Sequence, residues 1–411
     1  MVLFCKKTAY FVLSIIILAL IAVPTAFAAA TEETVSDFSD GGNNIICIAH
    51  RGDWHSFPEN SVEAVNAALD YDVISVDVKL TSDGIPVLMA DDSVDRMCAD
   101  KDGKSVSGAV SSFTLRQLKE FNLREANGGV QNPITNTTIP ELKEIFELAD
   151  GKAALMLNVS AENFKAVYNY VKTLGKTAEA IFRIDAKNEQ IIELTKDLDV
   201  TATGNYQGNI IFLATSAAKN AFNNNIYTIE MGSKNGHGVL YDNFLMKRFT
   251  DKKRAMVSMV NGRCGGRTDN ETGWDDLISR GYSVIETDYP AELTEYIQKT
   301  SAAAVELEKF VDLYGDEELS PYTTESEKAF TSALTTAKQL LRNPSSFSEL
   351  TDARYSLQSA HDSLTVGAKK NVTLQFKFTP GRIITVILCA AAFTVGSLYL
   401  HKKKVLNGGK I

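Results

Sequence analysis

Strand-like apolar runs that alternate with helical stretches over about 250 residues are the arithmetic of a (β/α)8 TIM-type barrel. Two further observations complete the predicted α/β fold class: residues 301–366 show helical periodicity without a strand signal, and residues 383–400 carry no charge. The first implies a small all-α helical bundle after the barrel, the second a C-terminal transmembrane helix. A doubly wound open sheet is the alternative architecture, but no Gly-x-Gly-x-x-Gly turn accompanies it.

In chain order, Lys6 and Lys7, an apolar run to Val23, Pro24 and Ala26-Phe27-Ala28 lay out a secretory signal over 1–28. An uncleaved anchor is the alternative. A linker, 29–44, leads into the barrel, bounded at 45–298. Strands are expected at 45–49, 73–78, 86–89, 154–159, 180–184, 210–214, 226–230, 255–260 and 284–287, and helices at 61–71, 115–121, 141–149, 161–174 and 274–280. In the second strand region Ile74, Val76, Val78 and Leu80 alternate with Ser75, Asp77 and Lys79, which gives one apolar and one polar face. Ser82-Asp83-Gly84 then turns the chain, because glycine supplies the positive φ of a tight turn. A second short strand leads to Ala90, Asp91 and Asp92.

In the bundle, Phe330, Leu334, Ala337 and Leu341, then Leu350, Ala353, Leu357, Ala360 and Leu364, recur at helical spacing. Thr324 with Glu327 and Ser346 with Glu349 have the spacing of a capping box. This stretch, beginning "SPYTTESEKAFTSALTTAKQLL", resembles the FIVAR-type helical modules of bacterial surface proteins, which act as spacers or bind surface glycans. Residues 367–382 read as a linker, and 383–400 are long enough to cross a bilayer. Residues 401–411, with Lys402, Lys403 and Lys404, form a cytoplasmic tail. The main body is therefore expected to be extracellular, on a single-pass anchor in the cell membrane.

Charge bears on partners. The chain has 42 basic and 51 acidic residues, and setting aside the seven lysines and arginines of its two ends leaves the body near −16. Such a surface excludes nucleic acid as a partner. Cys47, Cys98 and Cys264 are an odd number without short spacing, which is neither a disulfide framework nor a zinc site.

The first strand ends in Ala49-His50-Arg51-Gly52, and Pro58-Glu59-Asn60-Ser61 follows seven residues after Arg51. At the C-terminal end of a barrel strand an imidazole can move a proton while a guanidinium grips two phosphate oxygens. The stretch "AHRGDWHSFPENSVEAVNAALDYDVISVDVKLTSDGIPVLMADDSVDR" resembles the opening of the glycerophosphodiester phosphodiesterase family. The likeness extends through "FTLRQLKEFNL" and "TIPELKEIFELADGKAALMLNVS" to "GWDDLISRGYSVIETDYPAEL".

The resemblance implies a divalent cation, Ca²⁺ or Mg²⁺, held by Glu, Asp and Glu, with two histidines as acid and base. His50 is then the first histidine, Arg51 and Glu59 face substrate, and Asp77 is one metal ligand. The chain departs from the pattern at three ligand and histidine positions and at one further position. Ser75 stands at the first ligand, Ala90 at the second histidine, and Ser160, in "LNVSAE" after Asn158, at the third ligand, with Glu162 where the family has Lys. Losing a positioned acid or base costs roughly 10² to 10⁴ in rate. Asp77 has an alternative role as a hydrogen-bonding partner of Arg51 or His50.

Asp91, Asp92, Glu230, His55 and His237 are candidates for a relocated catalytic set, and Trp54 with Phe57 for an apolar lip. The polar loop 262–276 is a candidate for recognising a head group. Three readings follow: a barrel that binds a glycerophosphodiester or a phosphate-containing surface polymer with impaired catalysis, an active metal-dependent phosphodiesterase, and a structural spacer.

Overall fold

The computed structural model describes residues 34–36, 38, 44–206, 228–234, 246 and 254–367. The expected signal over 1–28, the strand at 210–214, His237, the linker beyond 367, the span at 383–400 and the tail lie outside them. Among the described residues no helix is long and apolar enough to cross a membrane.

Eight parallel strands close a barrel: β1 (Ile46–His50), β2 (Val73–Leu80), β7 (Ala154–Ser160), β8 (Ala180–Asp185), β9 (Thr201–Tyr206), β10 (Thr228–Met231), β11 (Arg254–Ser258) and β12 (Tyr282–Thr287). The circle shuts where β1 pairs on one side with β12 and on the other with β2. β3 (Pro86–Leu88) folds back antiparallel on β2 after the turn at Gly84, whose φ is +76°. β4 (Cys98–Ala99), β5 (Asn122–Arg124) and β6 (Ile134–Thr138) make a separate three-stranded sheet. The sequence reading did not anticipate it, since its strands are short and mostly polar.

Period-two alternation sorts the barrel's side chains. Outward residues such as Ile74, Val76, Val78, Leu155, Leu157, Phe182 and Ile184 share a core with Ile145 and Phe146 of α3 (Leu142–Ala149) and with Phe164, Val167 and Val171 of α4 (Phe164–Thr173). Inward residues Ile46, Ile48, Val73, Ala154, Met156, Ile181, Met256 and Val284 fill the lower barrel. Above them the same inward rows become polar, in His50, Ser75, Asp77, Asn158, Arg183, Ser258 and Glu286. Strand register sets several of these side by side: His50 against Ser75, Asp77 against Asn158, Asn158 against Arg183, and Ser258 against Glu286.

The described residues fall into two compact units, one holding those up to Glu317 with Lys328–Ser363, the other Glu318–Glu327 with those from Leu364. In the first, α7 (Pro290–Tyr314) is one 25-residue helix. It runs across the boundary expected between 298 and 301, because Gln298-Lys299-Thr300-Ser301-Ala302 contains no Gly or Pro to stop a helix. Tyr296 of α7 donates its hydroxyl to Asp275 at 2.8 Å and accepts from the backbone N–H of Phe347, the first residue of α9 (Phe347–Asp362), at 3.1 Å. Asp275 also accepts from the N–H of Ser348. Ser346 and Glu349 form the expected capping box. In the second unit the cap sits one residue earlier than expected, with Thr323 rather than Thr324 accepting from the N–H of Ser326.

Candidate functional site

A cleft of about 580 Å³ opens at the C-terminal ends of the barrel strands, lined among others by His50, Arg51, Asp77, Lys79, Asn158, Ser160, Arg183, Glu230, Arg263 and Glu286. This is the face on which barrel enzymes gather their chemistry.

Its first wall is built by the His-Arg-Gly and Pro-Glu-Asn-Ser motifs together. Arg51 takes a left-handed φ of +59°. Its N–H donates to the Ser75 carbonyl, and its carbonyl accepts from Asn60 N–H. The Arg51 guanidinium donates from Nε to Asp77 at 2.7 Å and from Nη1 to Glu59 at 2.9 Å. Asn60 clasps Asp77 twice, Nδ2 donating to the carboxylate at 3.0 Å and Oδ1 accepting from the backbone N–H at 2.9 Å. Ser61 caps α1 (Val62–Ala67) by accepting from Ala64 N–H. Glu59 lies behind Arg51, its side chain 2% exposed, and is shared with Arg96 at 2.6 Å. It therefore fixes Arg51 from behind, where the sequence reading had it facing substrate; the motif gives its distance along the chain but not which side of the guanidinium it takes.

The second wall carries His50. Its Nδ1 pairs with Asp288 Oδ1 at 2.8 Å, and Trp54 Nε1 donates to the same oxygen at 2.7 Å. Burial works against the charged imidazole, but Asp288 and Glu286 outweigh it and hold the His50 pKa above its ordinary 6.5. Asp288 is braced in turn, its N–H donating to Asp269, which also accepts from Thr287 and Trp274. The polar loop 262–276 thus fastens the end of β12, while Asn270 caps α6 (Glu271–Ser279). Trp54 serves as a donor to Asp288 as well as an aromatic face stacked on His55 at 4.0 Å between centroids.

The floor is where the chain departs from the pattern that the resemblance implies. Ser75 is fully buried and donates to Glu286 at 2.7 Å. Arg183 reaches across from β8, donating to Glu230 from Nε at 2.9 Å and Nη2 at 2.7 Å, and to both oxygens of Glu286 from Nη1 at 3.1 and 2.9 Å. Ser160 Oγ accepts from Asn163 N–H and so closes the turn into α4. Ala90 brings no titratable group, and its neighbours Asp91 and Asp92 are paired with Arg96 and Lys79. Of the other relocation candidates, Glu230 is held by Arg183, and His55 lies against Trp54 and Tyr289.

The electrostatics of the floor set a pH dependence. Burial alone would raise the Glu286 carboxyl, but the Arg183 guanidinium, with His50 and the Ser75 hydroxyl, brings it down to about 2 from 4.5. A depressed carboxylate pKa contributes stability above the unfolded value and loses it as pH falls through the folded one. The unfolding midpoint of the full-length protein should therefore drop between about pH 4.5 and pH 2, and Glu286→Gln should flatten that drop. An unchanged slope in Glu286→Gln would assign the acid loss elsewhere. The His50–Asp288 pair works in the opposite sense, being complete below 6.5 and fading as pH rises past the elevated His50 value.

The divalent cation implied by the resemblance does not fit these residues. Asp77 spends Oδ2 on Arg51 and Asn60 and Oδ1 on Asn158 Nδ2 at 3.1 Å. Glu230 and Glu286 are bound to a fixed positive charge. A hard cation needs six or more oxygens with carboxylates to offset its dehydration, and among the described residues no group of three or more His, Cys, Asp or Glu is arranged to hold one.

The sequence reading missed Arg183, Asp288, Glu286 and Arg96. The signal for Asp288 and Glu286 was their place at the end of the last strand, where inward and terminal carboxylates collect. Arg183 was visible as an arginine between Phe182 and Ile184 in an otherwise apolar strand.

The C-terminal mouth of this closed parallel barrel thus holds a histidine–carboxylate pair and an anchored arginine. Residues 50–221 match the model of the Glycerophosphoryl diester phosphodiesterase family and form a domain of that family. The chain is 30% identical to Glycerophosphodiester phosphodiesterase 1 of Mus musculus, over 36% of this chain and 48% of that protein. It is 33% identical to a Glycerophosphodiester phosphodiesterase of Caldanaerobacter subterraneus subsp. tengcongensis, over 30% and 47% respectively. The matched region thus spans about half the length of these curated relatives. Among solved structures, a candidate glycerophosphoryl diester phosphodiesterase from Silicibacter pomeroyi superposes with a TM-score of 0.52 at 16% identity, covering 65% of this chain and 98% of that one. This last likeness speaks for the fold.

Proposed function

We propose that the barrel captures a phosphodiester at the Arg51 wall, either a glycerophosphodiester or a phosphate-containing surface polymer, with little or no turnover. The observation that carries this reading is the state of Arg51. Two carboxylates hold its guanidinium at the cleft, and two of its five N–H donors are committed to them, which leaves donors for phosphate oxygens. Impaired turnover is supported by Ser75, Ala90 and Ser160, which remove two anionic ligands and one proton-transfer group from the family pattern. An extracellular position on the membrane is part of the same proposal, supported by the uncharged run 383–400 and the lysines that follow it.

Calorimetric titration of the full-length protein with glycerophosphocholine tests it. Binding is expected, and Arg51→Ala should weaken it by roughly tenfold to a hundredfold, the worth of a charge-assisted hydrogen bond. Equal affinity in Arg51→Ala would remove the basis of the proposal.

One observation favours a second reading, slow cleavage without a metal. With Nδ1 engaged by Asp288, the His50 ring has Nε2 to exchange a proton with a ligand in the cleft. Water would add to phosphorus as the alcohol leaves with a proton, giving glycerol phosphate. Release of glycerol phosphate that disappears in His50→Ala would establish that reading over simple capture.

A further inference from the structure

We infer that Arg183 takes over the electrostatic task of the divalent cation, so that this barrel gathers its inward carboxylates around a built-in guanidinium and has no need of a metal. The inference deepens the proposed function and rests on that reading only for the identity of the ligand.

Three observations converge on it. First, Arg183 sits inside the polar ring, level with Asn158 in strand register and one strand further from Asp77, with its side chain 19% exposed to the cleft. Second, it binds two carboxylates from different strands, Glu230 on β10 and Glu286 on β12, through four donor–acceptor contacts between 2.7 and 3.1 Å. Drawing carboxylates from separate strands into one cluster is what a bound cation does in a barrel mouth. The guanidinium does so with a planar fork that stays charged at any working pH. Third, the position where the family pattern puts a ligand carboxylate is a serine, and its hydroxyl donates to Glu286. A glutamate at position 75 would set a third carboxylate against Glu286; a serine at that place suits one cation of charge +1 rather than +2.

Arg183 against Glu230 and Glu286 leaves one net negative charge on the cluster, while His50 on the neighbouring wall is paired with its own carboxylate, Asp288. A Ca²⁺ or Mg²⁺ ion approaching this cluster meets a guanidinium already in contact with its would-be ligands.

The test is metal binding by the full-length protein, read by calorimetry and by thermal unfolding with CaCl₂ or MgCl₂ against EDTA. The wild type should show no heat of binding and no change in midpoint. Arg183→Gln, which keeps a donor for Glu286, should become Ca²⁺-responsive, with a midpoint rise of several degrees once the ion is at about a hundred times its Kd. A Ca²⁺- or Mg²⁺-dependent rise in the wild type that EDTA reverses would overturn the inference. So would a folded Arg183→Gln protein that stays indifferent to both ions. Should Arg183→Gln not fold, the wild-type titration decides alone. Glycerophosphocholine binding by the wild type is scored separately, with and without EDTA: its absence in both would count against phosphodiester capture and leave the metal result standing, whereas binding lost only in EDTA would overturn the inference.

Discussion

Arg183→Met is expected to lower the unfolding free energy by about 3–5 kcal/mol, the range for stripping one partner from a buried ion pair. The cause is the pair of carboxylates left behind. Glu286 is 0% exposed, and with the guanidinium gone its charge keeps the field of His50 and the Ser258 and Ser75 hydroxyls. Urea unfolding at neutral pH measures the loss. Repeating it near pH 3 sharpens the assignment, because Glu286 without Arg183 protonates at a higher pH and the penalty for burying its charge shrinks. Adding Glu230→Gln and Glu286→Gln to Arg183→Met should recover part of the stability, since an apolar or neutral replacement of a whole buried pair is often close to neutral. A loss below about 1 kcal/mol, the figure for exposed pairs, would show that water screens the network.

The second large effect is Gly52→Ala. Gly52 has φ +76°, and a methyl group there would lie 2.5 Å from the backbone carbon and oxygen of Ala64 and 2.8 Å from Val65 nitrogen. Those atoms belong to α1, so the loop cannot yield without moving the helix. The expected cost exceeds about 4 kcal/mol, at the extreme of single substitutions. Gly84→Ala is the control: its φ is also +76°, yet nothing lies within 4 Å of the added atom. It should cost only the left-handed backbone penalty of about 1–2 kcal/mol. Equal losses in denaturant titration would mean that the close approach to α1 carries no weight. The glycine of His-Arg-Gly is then explained by contact as well as by conformation, since the same approach positions Arg51.

These two residues mark what the sequence made legible. The Gly52 corner was readable because local motifs encode local geometry, and seven of the eight barrel strands stood out as apolar alternation. β9 did not, because "TATGNY" is small and polar; its register with β8 is supplied by the neighbouring strands. Arg183 and Glu286 lie 103 residues apart in sequence and bond in the barrel centre. Nothing in either local stretch names the other, so the chain could show that Ser75 and Ser160 were absent ligands but not that an arginine had arrived. Glu59 was misplaced for a related reason: spacing fixes a residue's distance from Arg51 along the chain, while Arg96, 37 positions away, decides which side it occupies.

The long helix α7 begins two residues after Asp288 and, at 1.5 Å per residue, is a rod of roughly 37 Å. A hinge at the expected boundary near residue 300 would have decoupled the helical segment from the cleft. A continuous rod has no such slack. What holds the helix near Tyr314 is therefore joined, without an interruption in the helix, to a residue two positions from the carboxylate that pairs with His50.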